Sequence, residues 1–293
     1  VGSEMCIRDR YNKADYIAET LKSVLNQTYC DYEVIVVNDS STDNSLEVAS
    51  SFQDERIHIY TKENEGVSAA RNYGIMHAKY DYIAFLDADD IWESDYLECQ
   101  NKLIGTYPDA GIYSTAFYSL EKGKRKLRNV LINEHIHFLV HDYFKESVMN
   151  GLSICWTSSL CLKKEVIKEI PMFRVGIKRG EDLDLWLRIA LNYDVAYLNL
   201  PKVFYRTGLS DSLTSDYSKN GEFPYYEWFN FTSESSYYRK YVILVVYIHA
   251  KNAFIHHDYD TCLAELWSVK TIAWRFKWAE RLLLLVISWI KSK

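Results

Sequence analysis

The 293-residue sequence has no CxxC pair: its six cysteines, Cys6, Cys30, Cys99, Cys155, Cys161 and Cys262, are scattered along the chain. That spacing indicates neither a zinc site nor a disulfide framework, and a reducing compartment is the simpler setting. No apolar run approaches the roughly 18–20 residues that span a bilayer, and the longest candidate, 282–290, reaches about half of that. No secretory signal is visible at the start. An excess of positive charge is missing too: 34 Lys and Arg face 40 Asp and Glu for a net charge of −6, so nucleic acid is not an expected partner. Internal repeats are absent. A hydrophobic content of 48% with 25% charged residues is that of an ordinary globular chain, with length enough for one large domain or a domain plus an extension.

What is present is an alternation of short apolar runs and amphipathic stretches. From Asp15 to Tyr29, the residues Ile17, Leu21, Val24 and Leu25 share one helical face. Glu33–Val37 reads as a buried strand ending at Asn38-Asp39, and the SSTDNS that follows opens a helix. Ile57–Tyr60 is a further strand, and a loop with Gly66 leads into a helix through Ala69, Ala70, Ile75 and Met76. Tyr82–Leu86, Ala110–Leu120, Ile154–Leu162 and Val195–Leu200 also have strand character. Residues 121–129 are basic and fit an exposed hairpin tip, either a solvated turn or a contact for an anionic ligand. After Gly180 a helix places Leu183, Leu187, Ala190 and Leu191 on one face. This rhythm predicts an α/β fold with a mostly parallel central sheet, covered on both faces, and a C-terminal helical extension.

The stretch that dominates the chemistry is Tyr82–Trp92, YIAFLDADDIW, where an apolar strand ends in Asp87, Asp89 and Asp90. Ligands of open α/β sheets bind beyond the carboxyl ends of the strands, where these acids would emerge. Residues 81–100 hold seven acids and no Lys or Arg, so neutralisation is expected from outside the segment, and a cation such as Mg²⁺ or Mn²⁺ suits two closely spaced carboxylates. Asp39, just past a strand, either accepts a hydrogen bond from a nucleotide or caps the next helix. Asn64-Glu65-Gly66 lets the backbone approach a ligand, with Arg71 a turn or so further on. Asp182, at a helix start, is either a general base or a cap.

Together these residues resemble the inverting glycosyltransferases of family 2. YNKADYIAETLKSVLNQTYCDYEVIVVNDSSTDNS, NEGVSAARN, FLDADD and RGEDLDLWLR look like that family's successive motifs, and the likeness covers roughly residues 11–206. The resemblance implies a GT-A fold, which is Rossmann-like and binds nucleotide-diphospho-sugars. It implies a metal-dependent, hexosyltransferase-type reaction moving a sugar from a UDP-linked donor to a glycan or lipid-linked acceptor in cell-surface polysaccharide or glycan synthesis. By the same resemblance, Asp39, Asn64, Gly66, Arg71 and Asp87 contact the nucleotide sugar, Asp89 with Asp87 holds Mn²⁺ or Mg²⁺, and Asp182 deprotonates the acceptor. The His that many members carry after a Tyr-Arg pair is missing: Tyr205-Arg206 is followed by Thr207-Gly208, so water or substrate would complete the metal's ligands. A non-catalytic nucleotide-sugar-binding protein is the main alternative. A haloacid dehalogenase-type phosphatase is a second, disfavoured because that family carries its acid motif on the first strand.

The implied organisation is an anomalous, non-native stretch at 1–10 without strand pattern, a nucleotide-sugar-binding half over 11–110, an acceptor half with the base over 111–222, and a helical extension over 223–293. In that extension 270–293 has six Lys or Arg against one Glu, with Trp274, Trp278 and Trp289 among leucines. Such a segment suits a membrane surface or packing on its own domain, and the expected location is cytoplasmic, peripheral at the membrane's cytoplasmic face.

Overall fold

The computed structural model describes residues 3–9, 13–177, 179–209, 225–228 and 231–268. Two compact units divide the chain, one of residues 1–143 and 154–208, the other of 144–153 and 209–293. In chain order the elements of the first unit begin β1 (Ser3–Asp9), α1 (Ala14–Leu25), β2 (Tyr32–Asn38), α2 (Ser45–Ser50), β3 (Ile57–Thr61), α3 (Val67–His77), β4 (Tyr82–Asp87), β5 (Ile91–Trp92) and α4 (Tyr96–Thr106). They continue with β6 (Ile112–Glu121), β7 (Lys124–Arg128), β8 (His137–Val140), then α5 (Tyr143–Asn150), which belongs to the second unit from Phe144 onward, β9 (Leu160–Lys163), α6 (Lys164–Glu169), α7 (Glu181–Ala190) and β10 (Val195–Arg206). The remaining helices of the second unit are α8 (Tyr225–Trp228), α9 (Tyr238–Ile255) and α10 (Tyr259–Ser268).

The sheet runs β3-β2-β1-β4-β9-β6-β10-β5, with β7 on β6 and β8 on β10. Its first four strands are all parallel, and every residue of β2 is buried, as expected of an inner parallel strand. β9 then enters antiparallel to both β4 and β6. Ile17, Leu21 and Val24 of α1, with no exposed surface, pack with Val34 and Val36 of β2 and Ala84 and Leu86 of β4 in one core. At the basic hairpin tip, Lys122 and Gly123 both adopt positive φ, 47° and 76°, the geometry a two-residue turn between β6 and β7 requires.

Four local expectations are corrected. Residues 3–9, read as lacking strand pattern, form β1 and pair with both β2 and β4; backbone hydrogen bonding to two parallel neighbours overrides a weak side-chain signal. The strand expected over 154–162 begins only at Leu160, because residues 157–159 form a tight helical turn in which the Ser159 amide donates to the Trp156 carbonyl at 2.9 Å. The strand expected to end at Leu200 runs on to Arg206 through register shifts on either side of Pro201, a residue with no amide to donate. On α7 burial extends beyond the expected face: Leu187 is buried and Leu183, Ala190 and Leu191 are partly buried, but the polar Asp184 and Arg188 are buried as well, as an ion pair at 2.9 Å.

In the second unit, α9 buries Val242, Val246, Ala250 and Ala253, which fits its apolar character nearly all round, and α10 packs on it through Cys262 and Leu266. Among the described residues no helix is long and apolar enough to cross a membrane, and 270–293 lie outside those residues.

Gly111, at the entry to β6, gives a direct test of this packing. A Cβ there would lie 2.6 Å from Tyr193 Cβ and 2.8 Å from Tyr193 Cγ, too close for any side chain. Gly111→Ala is expected to lower stability by about 1–3 kcal/mol, read as a lower urea midpoint at unchanged slope. A midpoint equal to that of the parent chain would contradict the close packing.

Candidate active site

The acid stretch leaves β4 as a tight turn in which the Asp90 amide donates to the Asp87 carbonyl at 2.9 Å. Further contacts that shape this turn come from far along the chain. The Thr20 hydroxyl of α1 lies 2.8 Å from both the Ala88 and Asp90 carbonyls. Ser158 accepts from the Asp87 amide at 3.1 Å and donates to Asp90 Oδ2 at 2.5 Å. At the end of β10, the Arg206 amide donates to Asp90 Oδ1 and its guanidinium to the Asp89 carbonyl, each at 3.0 Å.

The three carboxylates have different fates. Asp90 is fully buried, and burial, then the charges of Asp89 and Asp87, push its pKa well above the usual carboxylate range. It anchors the turn. Asp87 pairs with Arg71 Nη2 at 3.1 Å. Asp89, only 4% exposed, has Oδ2 3.4 Å from Nζ of Lys13, a side chain with no exposed surface. The lack of cations within 81–100 is thus made good by Lys13 and Arg71, brought in by the fold, while the Arg206 guanidinium pairs with Glu19 and holds the turn only through a backbone carbonyl.

Arg71 is 3% exposed and bridges two halves of the site, reaching Asp87 with one nitrogen and Glu181 Oε1 with the other at 2.9 Å. Burial opposes its charge, but Asp87, Glu181 and Asp182 outweigh that and hold its pKa above the ordinary value. Its neighbour Asn72 adds a second tether: its side chain donates to the Phe173 carbonyl at 2.7 Å and accepts from the Phe173 amide at 3.0 Å. The segment leading to α7 is thereby fastened to α3.

Asp182 sits in the first turn of α7, whose entry residue Gly180 takes a left-handed φ of 71°. Its Oδ2 accepts from the Thr157 hydroxyl at 3.1 Å and its Oδ1 from the Leu183 amide at 2.7 Å. Burial, then the charge of Glu181, push its pKa up to about 6, against the opposing pull of Arg71. Thr157 and Ser158, adjacent in one turn, therefore touch the candidate base and the acid turn respectively.

Asp39 is buried at the end of β2 and gathers a separate loop. It accepts from Lys62 Nζ at 3.1 Å and from the amides of Glu65 and Gly66 at 3.2 and 3.1 Å. Gly66 opens α3 with φ 87°, a conformation that disfavours any side chain although the space around it is open. Asn64 in the same loop is exposed. Capping, the other role open to Asp39, is performed by Asp43, which accepts from the Ser45 amide of α2 and from the Ala14 amide of α1, both at 3.0 Å.

Asp87 and Asp89 offer hard carboxylate oxygens, a donor set that fits Mg²⁺ or Mn²⁺ if the ion's other ligands come from elsewhere, although each carboxylate already meets a protein cation. Among the described residues no three His, Cys, Asp or Glu are grouped to hold an ion by themselves. Lys13, Thr157, Ser158, Arg206 and the bridging role of Glu181 were not singled out from the sequence. The run Thr157-Ser158-Ser159 within an apolar stretch was the one available signal, since buried hydroxyls need partners.

The family profile that matches the sequence, over residues 10–170, is that of glycosyl transferase family 2. The chain belongs to this family. TuaG of Bacillus subtilis (strain 168), provisionally named a teichuronic acid biosynthesis glycosyltransferase, is 32% identical over 194 residues, which are 65% of this chain and 73% of TuaG. Other curated relatives are longer, and the chain spans about 29% of the length of several of them. Among solved structures, S. aureus TarS residues 1–349 in complex with UDP-GlcNAc superposes with a TM-score of 0.64 at 16% identity, covering 98% of this chain and 79% of that one. A mannosyltransferase from Pyrobaculum calidifontis in complex with GDP-Man and Mn²⁺ gives 0.61 at 17%, covering 98% and 86%. These likenesses establish the GT-A fold for this family 2 member.

The Asp39 contacts lead to a local test. Asp39→Ala removes the acceptor of two amides, so exchange at Glu65 and Gly66 should quicken by roughly tenfold, the equivalent of a hydrogen bond of about 1.4 kcal/mol. Unchanged protection at both amides would show that the loop is held by other means.

Proposed function

We propose that this chain transfers a sugar from a nucleotide-diphospho-sugar, UDP-linked, to a hydroxyl of a glycan or lipid-linked acceptor with inversion, in the synthesis of a surface polysaccharide or related glycan. The observation that carries the reading is Asp182: a carboxylate whose pKa is raised to about 6, tied to the acid turn through Glu181–Arg71–Asp87 and through Thr157-Ser158. A base with a pKa near the working pH combines the ionised form with enough basicity to take an acceptor proton. Thr157 and the Leu183 amide orient its two oxygens, so the proton goes to a carboxylate already held in place. Inversion in one displacement then needs no second carboxylate as nucleophile.

On the donor side, Asp39 organises the 62–66 loop beside which a nucleotide would lie, with Asn64 and Gly66 presenting side chain and backbone to it. Asp89 and Asp87 would hold Mn²⁺ or Mg²⁺, which when bound supplies positive charge to the departing diphosphate. Metal and nucleotide-sugar complexes of structural relatives support this reading.

Two outcomes follow. In the pH profile of kcat/KM, activity should rise as pH increases through about 6, because Asp182 must lose its proton to act. Thr157→Val removes a hydrogen bond that favours the ionised carboxyl, so this limb should move to higher pH, while Thr157→Ser should leave it in place. Asp182→Asn should retain donor binding and lose transfer by roughly 10²–10⁴-fold. Donor binding without turnover in the parent chain would favour the non-catalytic alternative.

The reading also sets the chain at the cytoplasmic face of a membrane, held there by 270–293, where basic residues and tryptophans suit an anionic lipid surface. The full chain should float with anionic vesicles and a chain ending before Lys270 should not; equal flotation would remove the membrane contact.

A further inference from the structure

Lys13 has no part in the reaction just described, yet its placement beside Asp89 is among the most constrained in the site. Its side chain has no exposed surface, its Nζ is 3.4 Å from Asp89 Oδ2, and the ring of Tyr16 lies 5.7 Å from the ammonium. An ammonium removed from water needs an anion nearby, and Asp89 provides one. The backbone of Lys13 is fixed as well. Its amide donates to Ser45 Oγ at 2.9 Å, its carbonyl accepts from the Tyr16 and Ile17 amides at 3.0 Å, and the next amide is held by Asp43. The ammonium can therefore leave Asp89 only by rotation of its own side chain.

We propose that Lys13 is a resident counter-cation: it occupies the cation position at Asp89 and sets a low affinity for a divalent ion arriving alone. This rests on the reading of Asp89 as a metal ligand. Two positive charges sharing one carboxylate in a buried setting repel strongly, so the bare ion competes with an ammonium that has no solvent to retreat to. A nucleoside diphosphate changes the balance. Its oxygens complete the ion's ligands and at the same time accept the Lys13 ammonium, so ion and diphosphate bind together and each strengthens the other. Lys13 is then a positioning residue for Asp89 in the empty site and a phosphate contact in the loaded one.

The test is a titration of the full chain with Mn²⁺, alone and with UDP, following free Mn²⁺ by electron paramagnetic resonance. Lys13→Met should bind Mn²⁺ alone at least about tenfold more tightly than the parent, because a competing charge is gone. It should also lose most of the gain in Mn²⁺ affinity that UDP brings. Lys13→Gln, which can still donate to Asp89 without carrying charge, should do the same and guards against a folding failure in the first variant. A melting temperature that Mn²⁺ alone raises in either variant more than in the parent is the same result read through stability. If Asp89→Asn abolishes binding but neither Lys13 variant binds Mn²⁺ more tightly than the parent, the role of Lys13 is overturned and the metal site stands. If Asp89→Asn binds Mn²⁺ as the parent does, the metal reading fails and this inference with it.

Discussion

Three carboxylates within four residues, at the end of a buried strand, repel one another, and the rest of the site is arranged around making that tolerable. Asp87, Asp89 and Asp90 leave β4 where solvent is largely excluded, so their charge must be met by partners that the fold itself delivers. Arg71 meets Asp87, Lys13 meets Asp89, and Asp90 is drawn toward its neutral form while Ser158 and the Arg206 amide hold its oxygens. A turn held from α1, α3, the 157–159 turn and β10 at once cannot move without disturbing four elements. Catalytic groups need that kind of support, since small displacements of reacting groups cost large factors in rate.

The same contacts link the two chemical ends of the site. One route runs through charge, from Asp87 by way of Arg71 to Glu181, the neighbour of Asp182. The other runs through hydroxyls, from Asp90 by Ser158 and Thr157 to Asp182 itself. Burial, then the charge of Glu181, raises the pKa of Asp182 and Arg71 lowers it, so the value near 6 is a balance in which Arg71, which also pairs with Asp87 of the acid turn, takes part. On the proposed reading, the candidate base is then tuned in part by a residue that also holds the acid turn.

Much of this was legible beforehand because it depends on short-range pattern. β2 and β4 announce themselves by unbroken apolar runs, α1 by its 17/21/24 face, and the basic hairpin tip by its composition. The motif acids could be placed at strand ends by the same reasoning. The rest was decided at long range. β1 carries little strand signal and is formed by two parallel neighbours, while β10 continues past Pro201 through a bulge that propensity does not foresee. Thr157 and Ser158 lie in what reads as a strand, and only the turn they form directs their hydroxyls to Asp182 and Asp90.

The sequence by itself determined the alternation of strands and helices, the presence of an acid cluster at a strand end, and the family to which those motifs belong, because each is written in residues close together along the chain. Which cation answers which acid was decided by the tertiary structure alone. Lys13 and Asp89 are 76 positions apart and Arg71 and Glu181 are 110 apart, and no local pattern records that they meet. Charge neutralisation acts through space, over a few ångströms, so the partner of a buried carboxylate is fixed by packing and not by its neighbours in the chain.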